Sequence, residues 1–163
     1  MDIALARIDD RLIHGQIVAA WLQAIGRCDE ILVCDDPTRR DPFLRTVMET
    51  AAPPGLPVRV MTVDEAIAAF RAQPNSSRRV LLLTRGPVEM MRLIHGGVPV
   101  RQVNLGSMGS MPGRRSLFRY ISASDEELAA LREIHSQGVS IELKMVPSER
   151  GVDFAELDGD RRR

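Results

Sequence analysis

Hydrophobic positions along this chain follow two alternating rhythms. Short apolar runs of four to eight residues recur at 3–8, 31–34, 58–61, 80–83, 100–105, 117–122 and 139–146. Their length and their flanking turn residues predict strands. Between them the apolar positions recur every three or four residues, which predicts helices over 17–25, 40–51, 65–72, 87–95 and 124–137. Ile17, Val18, Trp21, Leu22 and Ile25 share one such face, and Phe43, Leu44, Val47 and Met48 another. End signals agree with these limits. Gly26 is a C-terminal cap, Thr62 or Asp64 caps the third helix, and Pro87 opens a helix that Gly96-Gly97 closes. Ser124-Asp125-Glu126-Glu127 opens the last helix and Gly138 ends it. The segments 53–57, 74–77 and 106–113 read as loops.

Strand and helix alternating about six times predict an α/β fold: an open, mainly parallel sheet with helices on both faces. No linker divides the chain, so 1–163 is read as one domain, with a polar, loosely held tail from about 148. Ligands of such sheets bind at the carboxyl ends of strands, where the strand order reverses. The informative loops are therefore 9–15, 35–39, 62–64, 84–87 and 106–113.

Three histidines offer an internal comparison, because Leu-Ile-His-Gly occurs at both 12–15 and 93–96. His95 and His135 fall at predicted helix C-termini, where the macrodipole favours imidazole. His14 instead follows a strand and precedes a helix. Unpaired N–H groups at a helix start form an anion site, to which Gly15, Gln16 and Ile17 would contribute their amides. Arg11 is a candidate phosphate fork, and Asp9 and Asp10 can orient His14 or Arg11. A nucleophile, a cation and a helix start together point to phosphate on or beside His14. The plainer alternative is a polar turn in which Asp9 and Asp10 cap a helix.

Composition narrows the classes. In 163 residues, hydrophobic residues make up 44% and charged residues 27%, enough for a folded core. No run approaches the ~20 apolar residues of a membrane span. The start, MDIALARIDD, lacks the basic, apolar pattern of an export signal, so a cytoplasmic protein is expected. Lys+Arg and Asp+Glu are 22 each, without the basic excess of a nucleic-acid binder. Cys28 and Cys34 fit no zinc or redox spacing and read as structural thiols, and no metal-ligand set is evident. A P-loop, a dinucleotide fingerprint and a nucleophile elbow are all missing. Asp35-Asp36 can be compared with the carboxylates of metal-dependent receiver domains, but a turn with Pro37 is the simpler reading.

The run from Arg7 to Val18, Arg-Ile-Asp-Asp-Arg-Leu-Ile-His-Gly-Gln-Ile-Val, with Trp21 following, closely resembles the IIB component of the mannose/fructose/sorbose family of the bacterial sugar phosphotransferase system (PTS). The segment 103–108, Val-Asn-Leu-Gly-Ser-Met, is similar to that family's V-N-[VI]-G-G-M loop. Residues 139–147 are similar to its late Val-x-Ile strand ending in Val-Pro. The resemblance implies an open α/β sheet with an antiparallel strand near the C-terminus. It implies that His14 accepts a phosphoryl group on Nδ1 from a phosphohistidine of IIA and passes it to a sugar entering through the membrane components IIC and IID. It further implies that Arg11 holds the phosphoryl group, with no cofactor and with peripheral membrane association through IIC and IID. Asp10 is the candidate for orienting Arg11 or His14. Ser107 stands where the family often has a second Gly, and can add a hydrogen bond at the site. A regulatory phosphoprotein on the same scaffold, without a transport role, is the alternative.

Charge is unevenly spread. From 90 to 124 there is no acid, yet Arg92, Arg101, Arg114, Arg115 and Arg119 lie there. This predicts a basic face near His14 suited to a phosphorylated, acidic partner.

Overall fold

The chain opens with β1 (Asp2–Asp9), followed by a π-helical turn (Ile17–Trp21) that runs into α1 (Leu22–Ile25). Next come β2 (Glu30–Cys34), α2 (Asp36–Arg40), α3 (Pro42–Ala51), β3 (Val58–Met61), α4 (Val63–Ala72), β4 (Arg79–Thr84) and α5 (Pro87–His95). The second half holds β5 (Gln102–Ser107), β6 (Arg115–Phe118), β7 (Ile121–Ala123), α6 (Asp125–Ser136), β8 (Ser140–Leu143), β9 (Val152–Asp153) and α7 (Phe154–Arg161). The computed structural model describes residues 1–161.

The main sheet has the order β3-β2-β4-β1-β5-β8-β9. It is parallel throughout except for the antiparallel pairing of β8 with β9. Alternate residues of each strand serve opposite cores. Ile31 and Val33 of β2 join Leu81 and Leu83 of β4 in one cluster, with Leu22, Ile25 and Met48 from α1 and α3. Leu32 and Cys34 join Val80 and Leu82 in the other, with Phe70, Met90, Leu93 and Leu131 from α4, α5 and α6. Both faces of β2 are buried at every position, which explains its apolar run from Ile31 to Cys34.

Handedness then fixes where a ligand can sit. The connections β1 to β2 and β2 to β3 step one way along the sheet, with α1 and α3 on one face. Those from β3 to β4, β4 to β5 and onward step the other way, with α4, α5 and α6 on the opposite face. Strand β1 lies between β4 and β5, whose connections leave on the other face. The carboxyl end of β1 is therefore the switch point, and the loop carrying His14 leaves from it.

Four sequence expectations need correction. The helix expected over 40–51 breaks at Asp41. Pro42 has no N–H and disfavours a helical residue before it, so Asp41 turns extended and caps α3 through the amides of Phe43 and Leu44, at 2.8 and 3.2 Å. The strand expected over 117–122 is a separate hairpin, β6-β7, turned at Arg119 with φ +32°. The strand expected over 139–146 stops at Leu143, because the chain then turns to deliver its carbonyls to Arg7 and Trp21. The tail expected to be loose from about 148 instead adds β9 and α7. Phe154 is buried in the core, and Asp158 accepts from Arg132 Nε at 2.9 Å and Nη2 at 2.6 Å. The last two residues of the expected tail lie outside the described residues. Predicted ends at Thr62, Pro87, Ser124 and Gly26 match, with capping boxes at Thr62–Glu65 and Ser124–Glu127.

Docking of α7 has a measurable consequence. Phe154→Ala is expected to lower stability by about 3 kcal/mol in urea unfolding, as for other large-to-small core changes. A loosely held tail would give no change.

Candidate active site

Arg7 and Asp9 are two residues apart on β1 and so project to the same side. Both are fully buried. Arg7 donates from Nε at 3.2 Å and Nη2 at 2.7 Å to Oδ2 of Asp9. Its Nη1 reaches Oδ1 of Asn104 on β5 and, at 3.1 Å, the carbonyl of Lys144; Nη2 also reaches the carbonyl of Met145 at 3.2 Å. The Trp21 ring lies 5.1 Å from the guanidinium carbon, and its Nε1 donates to Met145 O at 2.9 Å. A Cβ on Gly106 would overlap this guanidinium, which gives the glycine a steric reason.

Asp9 is the hub of the loop. His14 Nε2 lies 2.8 Å from its Oδ2, while Arg11 meets its Oδ1 from the backbone N–H at 3.1 Å and from Nε at 3.3 Å. Arg11 Nη2 continues to Gln16 Oε1 at 3.3 Å. Burial pushes the Asp9 carboxyl upward, but the hydrogen bond from His14 and the charge and hydrogen bonds of Arg7 outweigh it and hold the pKa at about 2. For Arg7, burial lowers the pKa and Asp9 opposes that shift. A carboxylate fixed on Nε2 assigns the proton to that nitrogen and leaves the Nδ1 lone pair available.

The loop between them is strained and anchored. Leu12 has φ +57°, uncommon for a branched residue, yet its side chain and that of Ile13 are buried in the α1 core. His14 emerges after them with its side chain 15% exposed; that of Arg11 is 45% exposed. Space beside Gly15 is open, since a Cβ there would meet nothing within 4 Å. The amides of Gly15 and Gln16 lie in the first helical turn, which lacks i−4 partners. The Ile17 amide does not join them, because it donates to the His14 carbonyl at 3.0 Å.

Asp10 faces elsewhere. Its Oδ2 accepts from the Gly109 N–H at 2.6 Å, and its carbonyl accepts from Arg85 Nη1 at 2.8 Å. Consecutive residues point apart at a strand end, so Asp9 took the orienting position and Asp10 pins the 106–113 loop. Ser107 pairs with Asp9 across β5 and β1 and accepts the Asp10 N–H on its carbonyl at 3.1 Å. Arg85, which the sequence reading did not single out, joins three strand ends. It bonds the Asp35 carboxylate at 3.2 and 3.3 Å and Thr38 Oγ1 at 3.1 Å, besides the Asp10 carbonyl. Asp35 is buried, holds Arg85 and caps α2, an arrangement that serves structure rather than a receiver aspartate.

Four of the five arginines in the acid-free segment carry acidic partners rather than forming an unpaired basic face. Arg114 is 9% exposed, grips Glu127 at 2.6 and 2.9 Å and donates to Gly109 O at 2.9 Å. Arg115 pairs with Asp125, Arg119 with Glu149 and Arg92 with Asp64. The compensating acids come from the start of α6 just beyond the segment, at Asp125 and Glu127, and from Glu149 and Asp64 farther away in sequence. His95 and His135 close α5 and α6, which run against the strands and so end at the opposite edge of the sheet from His14. A cleft of about 630 Å³ also lies away from His14, on the sheet face lined by Leu5, Trp21, Gln102, Asn104 and Glu142. No group of three or more potential metal ligands occurs among the described residues. Among them, no helix is long and apolar enough to cross a membrane.

An anchored imidazole at the switch point of an open sheet makes the first strand-to-helix loop the candidate site of this α/β protein. Comparison with known proteins specifies the family. The family described as "PTS system sorbose subfamily IIB component" matches residues 3–162, and the chain belongs to that family. The sorbose-specific EIIB component of Klebsiella pneumoniae is 33% identical over 94% of this chain and 93% of its own length. The mannose-specific EIIAB component of Escherichia coli (strain K12) is 31% identical over 96% of this chain, which spans 48% of that longer protein. The crystal structure of the IIB domain of the Klebsiella pneumoniae sorbose permease superposes with a TM-score of 0.92 at 32% identity, covering 98% of both chains. The protein is thus a phosphotransferase-system subunit acting in sugar phosphotransfer.

Asp9 also sets an acid limit on stability. Its carboxyl is held below its ordinary 3.8, so its contribution is present above that value and disappears as pH falls through about 2. Between pH 5 and 2 the native protein is expected to lose about 2 kcal/mol more unfolding free energy than Asp9→Asn, measured by urea titration across that range.

Proposed function

We propose that the chain is a phosphocarrier using Nδ1 of His14. The observation that carries this reading is the 2.8 Å contact of Asp9 with Nε2, which leaves Nδ1 as the nucleophilic nitrogen of a partly open imidazole. The Nδ1 lone pair attacks the phosphorus of a phosphohistidine on IIA. The new N–P bond forms as the donor's N–P bond breaks and the donor imidazole leaves neutral. The phosphorylated ring keeps its proton on Nε2 and gains positive character, which the Asp9 carboxylate stabilises. A sugar hydroxyl then takes the phosphoryl group and releases its proton to solvent, as the N–P bond breaks and neutral His14, still protonated on Nε2, is restored.

Such transfers need alignment and charge compensation more than covalent help. Arg11 and the amides of Gly15 and Gln16 meet the phosphoryl oxygens, and no metal or cofactor takes part. Ser107 borders the site from β5. Asp10 acts at one remove, by holding Gly109. The joining of A and B units in the name of the Escherichia coli relative supports IIA as donor. The sugar reaches the carrier through IIC and IID, which hold it peripherally at the cytoplasmic face of the membrane.

Incubation with phosphorylated IIA is expected to label His14, with the label lost in acid, as phosphohistidine requires. His14→Ala should abolish labelling, and a label surviving in that variant overturns the mechanism. Arg11→Ala should slow transfer roughly 100-fold. His95→Ala and His135→Ala should transfer at the native rate in the same rapid-quench assay.

A further inference from the structure

We propose that Arg7, which touches no reacting atom, is a positioning residue that sets the charge His14 experiences, and that Asn104 holds it in that pose. The inference rests on His14 being the nucleophile and adds how its protonation is governed. A carboxylate alone against an imidazole favours the imidazolium, which has no lone pair and cannot attack phosphorus. A carboxylate already matched by a guanidinium still orients the ring but pulls its proton far less.

The geometry supplies that match. Nε and Nη2 of Arg7 lie 3.2 and 2.7 Å from Asp9 Oδ2, the same oxygen that meets His14 Nε2 at 2.8 Å. One oxygen therefore divides its charge between a permanent cation and the imidazole. Arg7 is fully buried, so water does not screen it. Its far nitrogen is tied to Oδ1 of Asn104, whose own Nδ2 donates to Lys144 O at 3.0 Å. That second bond fixes the amide so that its oxygen faces Arg7. The absent side chain of Gly106 and the Trp21 ring close the remaining sides. The other charged or titratable groups facing this cluster are few. Arg11 bonds Asp9 Oδ1 from the solvent side, and Tyr120, itself bonded to Glu149, acts on Arg7 from the β6-β7 turn. Asp10 is turned to Gly109 and Arg114. Among these, only Arg7 is a cation buried away from solvent.

The test reads His14 directly. Nitrogen-15 NMR follows the His14 ring through a pH titration of the unphosphorylated protein, in the native chain, in Arg7→Met and in Asn104→Asp. Arg7→Met removes the cation, and His14 should then titrate about one pH unit higher. Asn104→Asp is nearly isosteric and keeps the cation but gives it a second carboxylate to serve. It should move the His14 titration in the same direction by less, and it decides the matter should Arg7→Met fail to fold. In the phosphotransfer assay the acid limb of the pH–rate profile should move with the titration, so that Arg7→Met loses about tenfold at pH 6 and recovers at alkaline pH. A purely structural role would lower the rate equally at every pH. Unmoved titrations in both variants overturn the proposal. Titrations that move as expected, in a native chain that takes no label at His14, uphold the control by Arg7 and overturn the phosphocarrier reading instead.

Discussion

The buried pair of Arg7 and Asp9 is the constraint on which the rest of the site depends. Taking a carboxylate and a guanidinium out of water is costly unless each finds its full set of partners. Here elements on one side of β1, and the loop that follows it, contribute to that set. Strand β5 gives Asn104, the turn after β8 gives two carbonyls, the first helix gives the Trp21 ring, and the loop gives Arg11 and His14. The glycine at 106 follows from the same demand, because β5 must pass close to the guanidinium. Removing one member of such a pair leaves the other buried and unpaired, at a cost of about 3–5 kcal/mol. The pair therefore couples the integrity of three strands to the orientation of one imidazole.

A second constraint acts from the apolar side. Leu12 occupies a left-handed conformation only because its side chain, with that of Ile13, is embedded between α1 and the sheet. The chain thus leaves β1 held at Asp9 by charge and re-enters the core two residues before His14. Arg85 ties the ends of β1, β2 and β4 on the neighbouring side through Asp10, Asp35 and Thr38. His14 projects from a loop with little freedom of its own, which suits the proposed role of meeting donor and acceptor in one geometry.

Much of this architecture was legible in the sequence, for identifiable reasons. Periodicity located the parallel strands because their apolar runs are buried on both faces, and caps such as Thr62 and Ser124 act through local hydrogen bonds. The resemblance carried by residues 7–18 pointed to the loop that the topology sets at the switch point. What escaped was non-local. Arg7 sits within an apolar run and reads as an isolated exception, since its partners at 104, 144 and 145 lie 97 to 138 residues away. Choosing between Asp9 and Asp10 required knowing where the strand ends, as one residue reverses the side faced. The apparent basic face at 90–124 was misleading because four of its arginines meet acids outside it, Asp125 and Glu127 just beyond its end and Glu149 and Asp64 farther away. The α7 tail looked polar because only Phe154 and a few neighbours enter the core.

The distribution of charge around His14 suits the proposed carrier role better than that of a trap. Two arginines meet Asp9, but one is wholly internal and already matched, so a single exposed guanidinium, Arg11, is left to face an arriving phosphoryl group. A site lined with several free cations would bind that group tightly in the ground state and slow its departure, since uniform binding does not speed the step that follows. A site with none would leave the developing charge uncompensated. One partly exposed arginine, two helix-start amides and a neutralised carboxylate behind the ring lie between those limits. Arg11 is itself tethered to Asp9 and Gln16, so its reach toward the phosphoryl oxygens is bounded. On the proposed phosphocarrier reading, transfer to and from His14 depends on an imidazole whose orientation is fixed from the interior, while its compensation from outside is kept modest.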